Sequence, residues 1–171
     1  MPTQQFNARR LMELEELLDV EYDKYHEFEK DISLSTANEK IPLKQRLKRE
    51  IAPRLSELEK EYAELLVTGV PTGQIPEDEA KAIVTELSEA TTKVLQSAPA
   101  ESPPEMLRLL EEIKGKLSEP KEAAAAKLKV SLPLIPTICS YEIEVDTVRS
   151  VKKVWSKARD FLKGLVKSPP Q

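Results

Sequence analysis

One cysteine, one histidine, one tryptophan and four glycines in 171 residues leave this chain short of most groups that carry out chemistry. A lone Cys139 excludes an internal disulfide and any zinc site built from several thiolates, and a lone His26 removes most other zinc and haem designs. Gly69, Gly73, Gly115 and Gly164 form neither a G-x-G-x-x-G turn nor a Walker loop, so no backbone cradle for phosphates is expected. No apolar run approaches the roughly 18 residues of a spanning helix. The first residues, "MPTQQFNARRLMELEE", lack the apolar core of a signal peptide. The expectation is a cytoplasmic protein in a reducing compartment, with no cofactor and no metal.

What is present is charge and aliphatic surface. Charged residues make up 33% and apolar residues 40%, with only 5% aromatic, a profile of slender helices in bundles or coiled coils. The net charge of −4 is uneven: residues 1–68 carry 11 basic and 15 acidic side chains, 69–145 carry 8 and 13, and 146–171 carry 7 and 2. That balance argues against nucleic acid as a partner. The basic tail suits an acidic protein or peripheral contact with an anionic membrane.

Apolar residues at Leu11, Leu14, Leu18, Tyr22, Tyr25, Phe28 and Ile32 fall three and four apart, which predicts a helix from about residue 5 to about 33. "SLSTANEK" breaks the stripe, which resumes at Leu47, Ile51, Leu55, Leu58, Tyr62 and Leu65. Two helices of similar length fold back as an antiparallel, coiled-coil-like hairpin over 1–68, with a kink expected at Pro53. Tyr22, Tyr25 and Phe28 read as packing residues. His26 and Glu29 form one H-x-x-E pair, short of the two pairs a di-iron centre requires. The mixed charges of "RLKREIAPRLSELEKEYAELL" read as wet helix surface.

A linker at 69–75 leads to a second region over 76–171. Pro76 followed by Glu77, Asp78 and Glu79 starts a helix expected to run to about residue 97. Ser102, Pro103 and Glu105 have the form of a capping box at the next start, and that helix ends near Glu119. In "KVSLPLIPTICSYEIEVD" the alternation of Val130, Leu132 and Leu134, then of Tyr141, Ile143 and Val145, predicts a short β-hairpin near 128–145. Pro133 makes its first strand an edge. The fold class expected is therefore mainly α with this one hairpin of strands.

The last helix is basic and amphipathic: Val148, Val151, Trp155, Ala158, Leu162 and Leu165 share one side, with lysines and arginines elsewhere. Trp155 and Phe161 read as core, with Trp155 expected to pack on alternate strand residues such as Leu132, Ile143 or Val145. The candidates for an interaction surface are Leu132, Ile135, Ile138, Tyr141, Ile143, Trp155, Phe161, Lys152, Lys153 and Lys157. Cys139 with His26 is the one conceivable nucleophile and base, but no Gly-flanked turn or oxyanion loop accompanies them. A small buried hydrophobe is the plainer role for Cys139. No catalytic, cofactor-binding or metal-binding residue is assigned.

The string "AAAAKLKVSLPLIPTICSYEIEVDT…VW" resembles a C-terminal segment of cyanobacterial-type conflict and signalling proteins that accompanies STAND NTPase (NACHT or NB-ARC), caspase-like, TIR or CHAT modules. The hairpin "LEELLDVEYDKYHEFEKDISLSTANEKIPLKQRLKREIAPRLSELEKEYAELL" is similar to the effector-associated helical segments of the same systems. The resemblance implies an adaptor in antiviral defence or cell-death signalling, joining sensor and effector through coiled-coil or homotypic contacts, with self-assembly into an oligomer one of its modes. No NTPase or protease motif is present, so no catalytic residue carries over and an enzyme is not expected. The competing expectation is an effector that meets anionic membranes through the basic C-terminal helix.

Overall fold

The N-terminal stripe folds as its spacing requires. Helix α1 runs Pro2–Leu34 and helix α2 Ala37–Arg46, joined by a connection of two residues, Ser35 and Thr36. The Thr36 amide donates to Glu39 Oε2 at 3.1 Å, which satisfies one free donor at the start of α2. The helix therefore resumes inside "SLSTANEK", earlier than the apolar stripe indicates. The computed structural model describes residues 2–142 and 145–167, side chains at 2–6, 146 and 167 excepted.

From α2 the chain continues through a π-helical turn, Leu47–Ile51, into α3, Ala52–Gly69. The turn is the form taken by the disturbance at Pro53. In α geometry the proline ring strikes the carbonyl of Arg49 and leaves it without a donor. The wide turn takes the chain past the ring, with the Ala52 amide donating to the Leu47 carbonyl five residues before it. The hairpin is antiparallel, and its polar contacts read out the register. The Arg10 guanidinium donates to both carboxylate oxygens of Glu61 at 2.7 and 3.0 Å, Tyr62 donates to Glu15 at 2.8 Å, and Arg54 to Glu21 at 3.0 Å. At the tip the Arg46 guanidinium lies 5.2 Å from the Phe28 ring centre.

Helices α4, Glu77–Ser97, and α5, Pro104–Leu117, follow. The box at Ser102 does not form: Pro103 sits at the cap position, helix begins at Pro104, and the Ser102 hydroxyl is buried without a partner. Glu77 does more than favour its own helix dipole. Its carboxylate accepts from the Ala124 and Ala125 amides at 2.7 and 3.3 Å and so caps the N-terminus of α6, Ala124–Ser131.

The β-hairpin expected at 128–145 is not formed. After α6 come a 3₁₀ turn, Leu132–Leu134, and a short helix α7, Ile135–Cys139. The reason lies in which residues are buried. Leu128, Leu132, Ile135 and Ile138 are four, three and three apart and fully buried, whereas Val130, which should share a strand face with Leu132, is 50% exposed. The segment has a helical period that a period of two imitates over five residues. Pro133 and Pro136 each stand in a first turn, where no donor is needed, and so divide the helix without ending it. Beyond it, Tyr141 donates to Ile138, Glu142 to Cys139 and Val145 to Tyr141, a series of turns where the second strand was expected. Ile143 lies outside the described residues.

A 3₁₀ turn at Asp146–Val148 leads into α8, Arg149–Lys167. Helix α3 packs on α1 on one side and on α7 and α8 on the other, while α4 packs on α5, α6 and α8. One hydrophobic cluster runs through Leu14, Tyr62, Leu87, Leu110, Leu128 and Trp155. The hairpin thus docks on the later helices of its own chain, and Trp155 is buried among helices, not against strands. Among the described residues no helix is long and apolar enough to cross a membrane.

Candidate functional site

The residues singled out around 132–161 are brought together, but inside the molecule. Leu132, Ile135, Ile138 and Trp155 are fully buried, and Phe161 and Tyr141 are half-buried against the same core. Lys152 donates to Glu142 at 2.8 Å with its ammonium 5.0 Å from the Tyr25 ring centre, and Lys157 donates to Glu86 at 2.6 Å. Lys163 pairs with Glu15 at 3.2 Å. Lys153 is exposed. The apolar side of α8 is its core side, and several of its cations are already paired within the chain.

Cys139 is buried on α7, where loss of water pushes its thiol well above the ordinary range, the condition of an inert thiol. His26 is exposed on α1 and lies 3.5 Å from Glu29. Among the described residues no group of three or more His, Cys, Asp or Glu side chains could hold a metal ion.

Two features remain that sequence patterning passed over. The first is a buried polar centre where α1, α3 and α8 meet. Glu59 of α3 is only 4% exposed and accepts a hydrogen bond from the Tyr22 hydroxyl, which in turn accepts from Arg159 Nη1 at 3.3 Å. Burial pushes the Glu59 carboxyl up to about 7; the charges of Arg159 and Lys152 and the indole of Trp155 oppose that rise, and Glu142 adds to it. The indole N–H of Trp155 is itself buried and closes no hydrogen bond of normal length. Beside Glu59 lies a cavity of about 20 Å³ lined by Ser56, Ser140, Cys139, Lys152 and Glu142, enough for a single water molecule. The signal for Glu59 was in the register: Leu55, Glu59, Tyr62 and Leu66 are spaced four, three and four, so the carboxylate stands on the core stripe. Glu21, between Leu18 and Tyr25, is buried for the same reason and is met by Arg54 and Lys24.

The second is the outer face of α1. Only one stripe of this long helix is covered. Met12, 64% exposed, and Val20, 53%, stand on the side turned away from that stripe, and Leu17, 37% exposed, stands at its edge. Leu34 and Ile41 are exposed at the hairpin tip. Comparison with known proteins returns nothing: no family model matches the chain, no curated protein matches its sequence, and no solved structure matches its fold.

Proposed function

We propose that the protein is a non-catalytic interaction module, an adaptor of the kind used in bacterial conflict or cell-death signalling, which joins protein partners through its N-terminal hairpin. The observation that carries this reading is where large apolar side chains reach solvent. Among the described residues, all of them except Val130 belong to α1 and α2. Scattered exposed aliphatics are ordinary, but their concentration on one hairpin is a feature of docking surfaces. The sequence resemblance to effector-associated segments supports the same role. Recruitment of an anionic membrane by α8 has less behind it, because the apolar face needed for insertion is the face that holds Trp155 and Leu162 in the core.

The test is co-expression with candidate STAND NTPase and effector chains, followed by size exclusion with light scattering. The wild-type chain should co-elute with a partner, and a Met12→Ser, Leu17→Ser, Val20→Ser variant should elute alone with its helical circular dichroism unchanged. A strict monomer that binds none of them, or a triple variant that binds as well as wild type, overturns the proposal.

A further inference from the structure

Glu59 sits where the hairpin is seated on the rest of the chain. Only the segment 70–76 joins the two, and α3 makes the seat by packing on the 3₁₀ turn Leu132–Leu134, on α7 and on α8. The elements around the carboxyl each bring a polar or charged group to it. From α1 comes the Tyr22 hydroxyl, with Tyr25 beside the cavity, and from α3 itself Ser56, whose hydroxyl donates across the seat to the Pro136 carbonyl at 3.2 Å. From α7 and the turn after it come Cys139 and Glu142, and from α8 Lys152, the Trp155 indole and Arg159. Asp19, Asp23 and His26 line an open cleft together with Tyr22 and Trp155. Neither cation of α8 bonds the carboxyl: Arg159 donates to the Tyr22 oxygen and pairs with Asp160 at 3.6 Å, while Lys152 is held by Glu142 at 2.8 Å. The cavity has room for one water. An ionised Glu59, left with a phenol, one water and no ion pair, is under-solvated for as long as the seat stays closed.

We propose that Glu59 is a proton-operated latch: protonated it lets the hairpin close on α7 and α8, and ionised it drives the seat to open about the 70–76 segment until water reaches the carboxylate. The latch acts whatever the hairpin binds. Burial, which raises the carboxyl from 4.5 to about 7, places the change near neutral pH. The closed state holds the proton more tightly than an open state in which Glu59 meets water. Opening therefore grows as pH rises from about 4.5 and levels off above about 7. Between pH 6 and pH 8 the open population should rise about tenfold.

Cys139 reports the opening, because it is buried on α7 and lines the same cavity. Its rate of labelling by a maleimide is divided at each pH by the rate for the urea-unfolded chain, which removes the thiol's own ionisation. The corrected rate should rise about tenfold between pH 6 and pH 8 in the wild-type chain. Glu59→Gln and Glu59→Met have no such proton to lose, and their corrected rates should stay within about twofold over that range. At pH 8 the wild-type rate should also exceed, by at least about tenfold, the rate that global unfolding measured in urea melts allows. The same rise in both variants, or a flat wild-type rate, overturns the latch. A wild-type rise no faster than global unfolding overturns it too, and leaves Glu59 acting on overall stability alone.

Discussion

Replacing Glu59 by Gln isolates the energetics of the buried centre. The carboxyl is raised from an ordinary 4.5 to about 7, with burial as the leading cause. The native state therefore holds this proton more tightly than the unfolded chain. Stability contributed by the group is fully present below about pH 4.5 and is lost as pH rises through about 7. At ~1.4 kcal/mol per pH unit that gap corresponds to about 3 kcal/mol. Glutamine keeps the shape and can still accept from Tyr22, but has no charge to desolvate. The variant should match wild type at and below about pH 4 and exceed it by about 3 kcal/mol at pH 8. Urea melts followed by circular dichroism at half-unit pH steps read the difference, and other titrating groups cancel between the two proteins. Parallel stability curves from pH 5 to 8, or a variant less stable than wild type at pH 8, would refute the reasoning. Either result would mean that Arg159 and Lys152 offset the desolvation in full.

Four further substitutions test other parts of the fold. Trp155→Ala should cost about 3–5 kcal/mol and melt as one transition with the hairpin, because one core joins α1 and α3 to α8; a hairpin that keeps its helicity after the rest has unfolded would contradict a shared core. Leu132→Ala should cost about 2–5 kcal/mol while Val130→Ala stays within about 0.5 kcal/mol in chemical denaturation, and equal losses would restore the alternating strand face. The Glu77 carboxyl is held below its usual range chiefly by the Ala124 amide, so Glu77→Ala should speed hydrogen exchange at Ala124 and Ala125 without affecting α1; unchanged exchange there would remove the long-range cap.

The helices with the longest stripes were legible because burial of one face imposes the helical period over many residues. Leu11 to Ile32 and Leu47 to Leu65 repeat that period long enough to leave no rival. The segment from Val130 to Leu134 did not, since five residues satisfy a period of two and a helical period alike. The choice was made by α3, whose packing against the 3₁₀ turn and α7 buries Leu132, Ile135 and Ile138 together. Glu59 was hidden by its chemistry. A carboxylate in a run of mixed charges reads as solvent-facing, and only its place between Leu55 and Tyr62 marks it as internal. The α1 surface was hidden for the opposite reason. Met12, Leu17 and Val20 interrupt a charged face without a period of their own, and their exposure emerges only when α3 and α8 are seen to cover the other side.

The most direct measurement is a map of where a protein partner touches the chain. With the protein labelled with ¹⁵N and titrated with a partner chain that co-elutes with it, amide shifts should concentrate on α1 and α2 and spare α5 and α6. Shifts centred on α8 or on the cleft lined by Glu111, Glu119 and Lys127, with α1 unmoved, would contradict a docking surface on the hairpin.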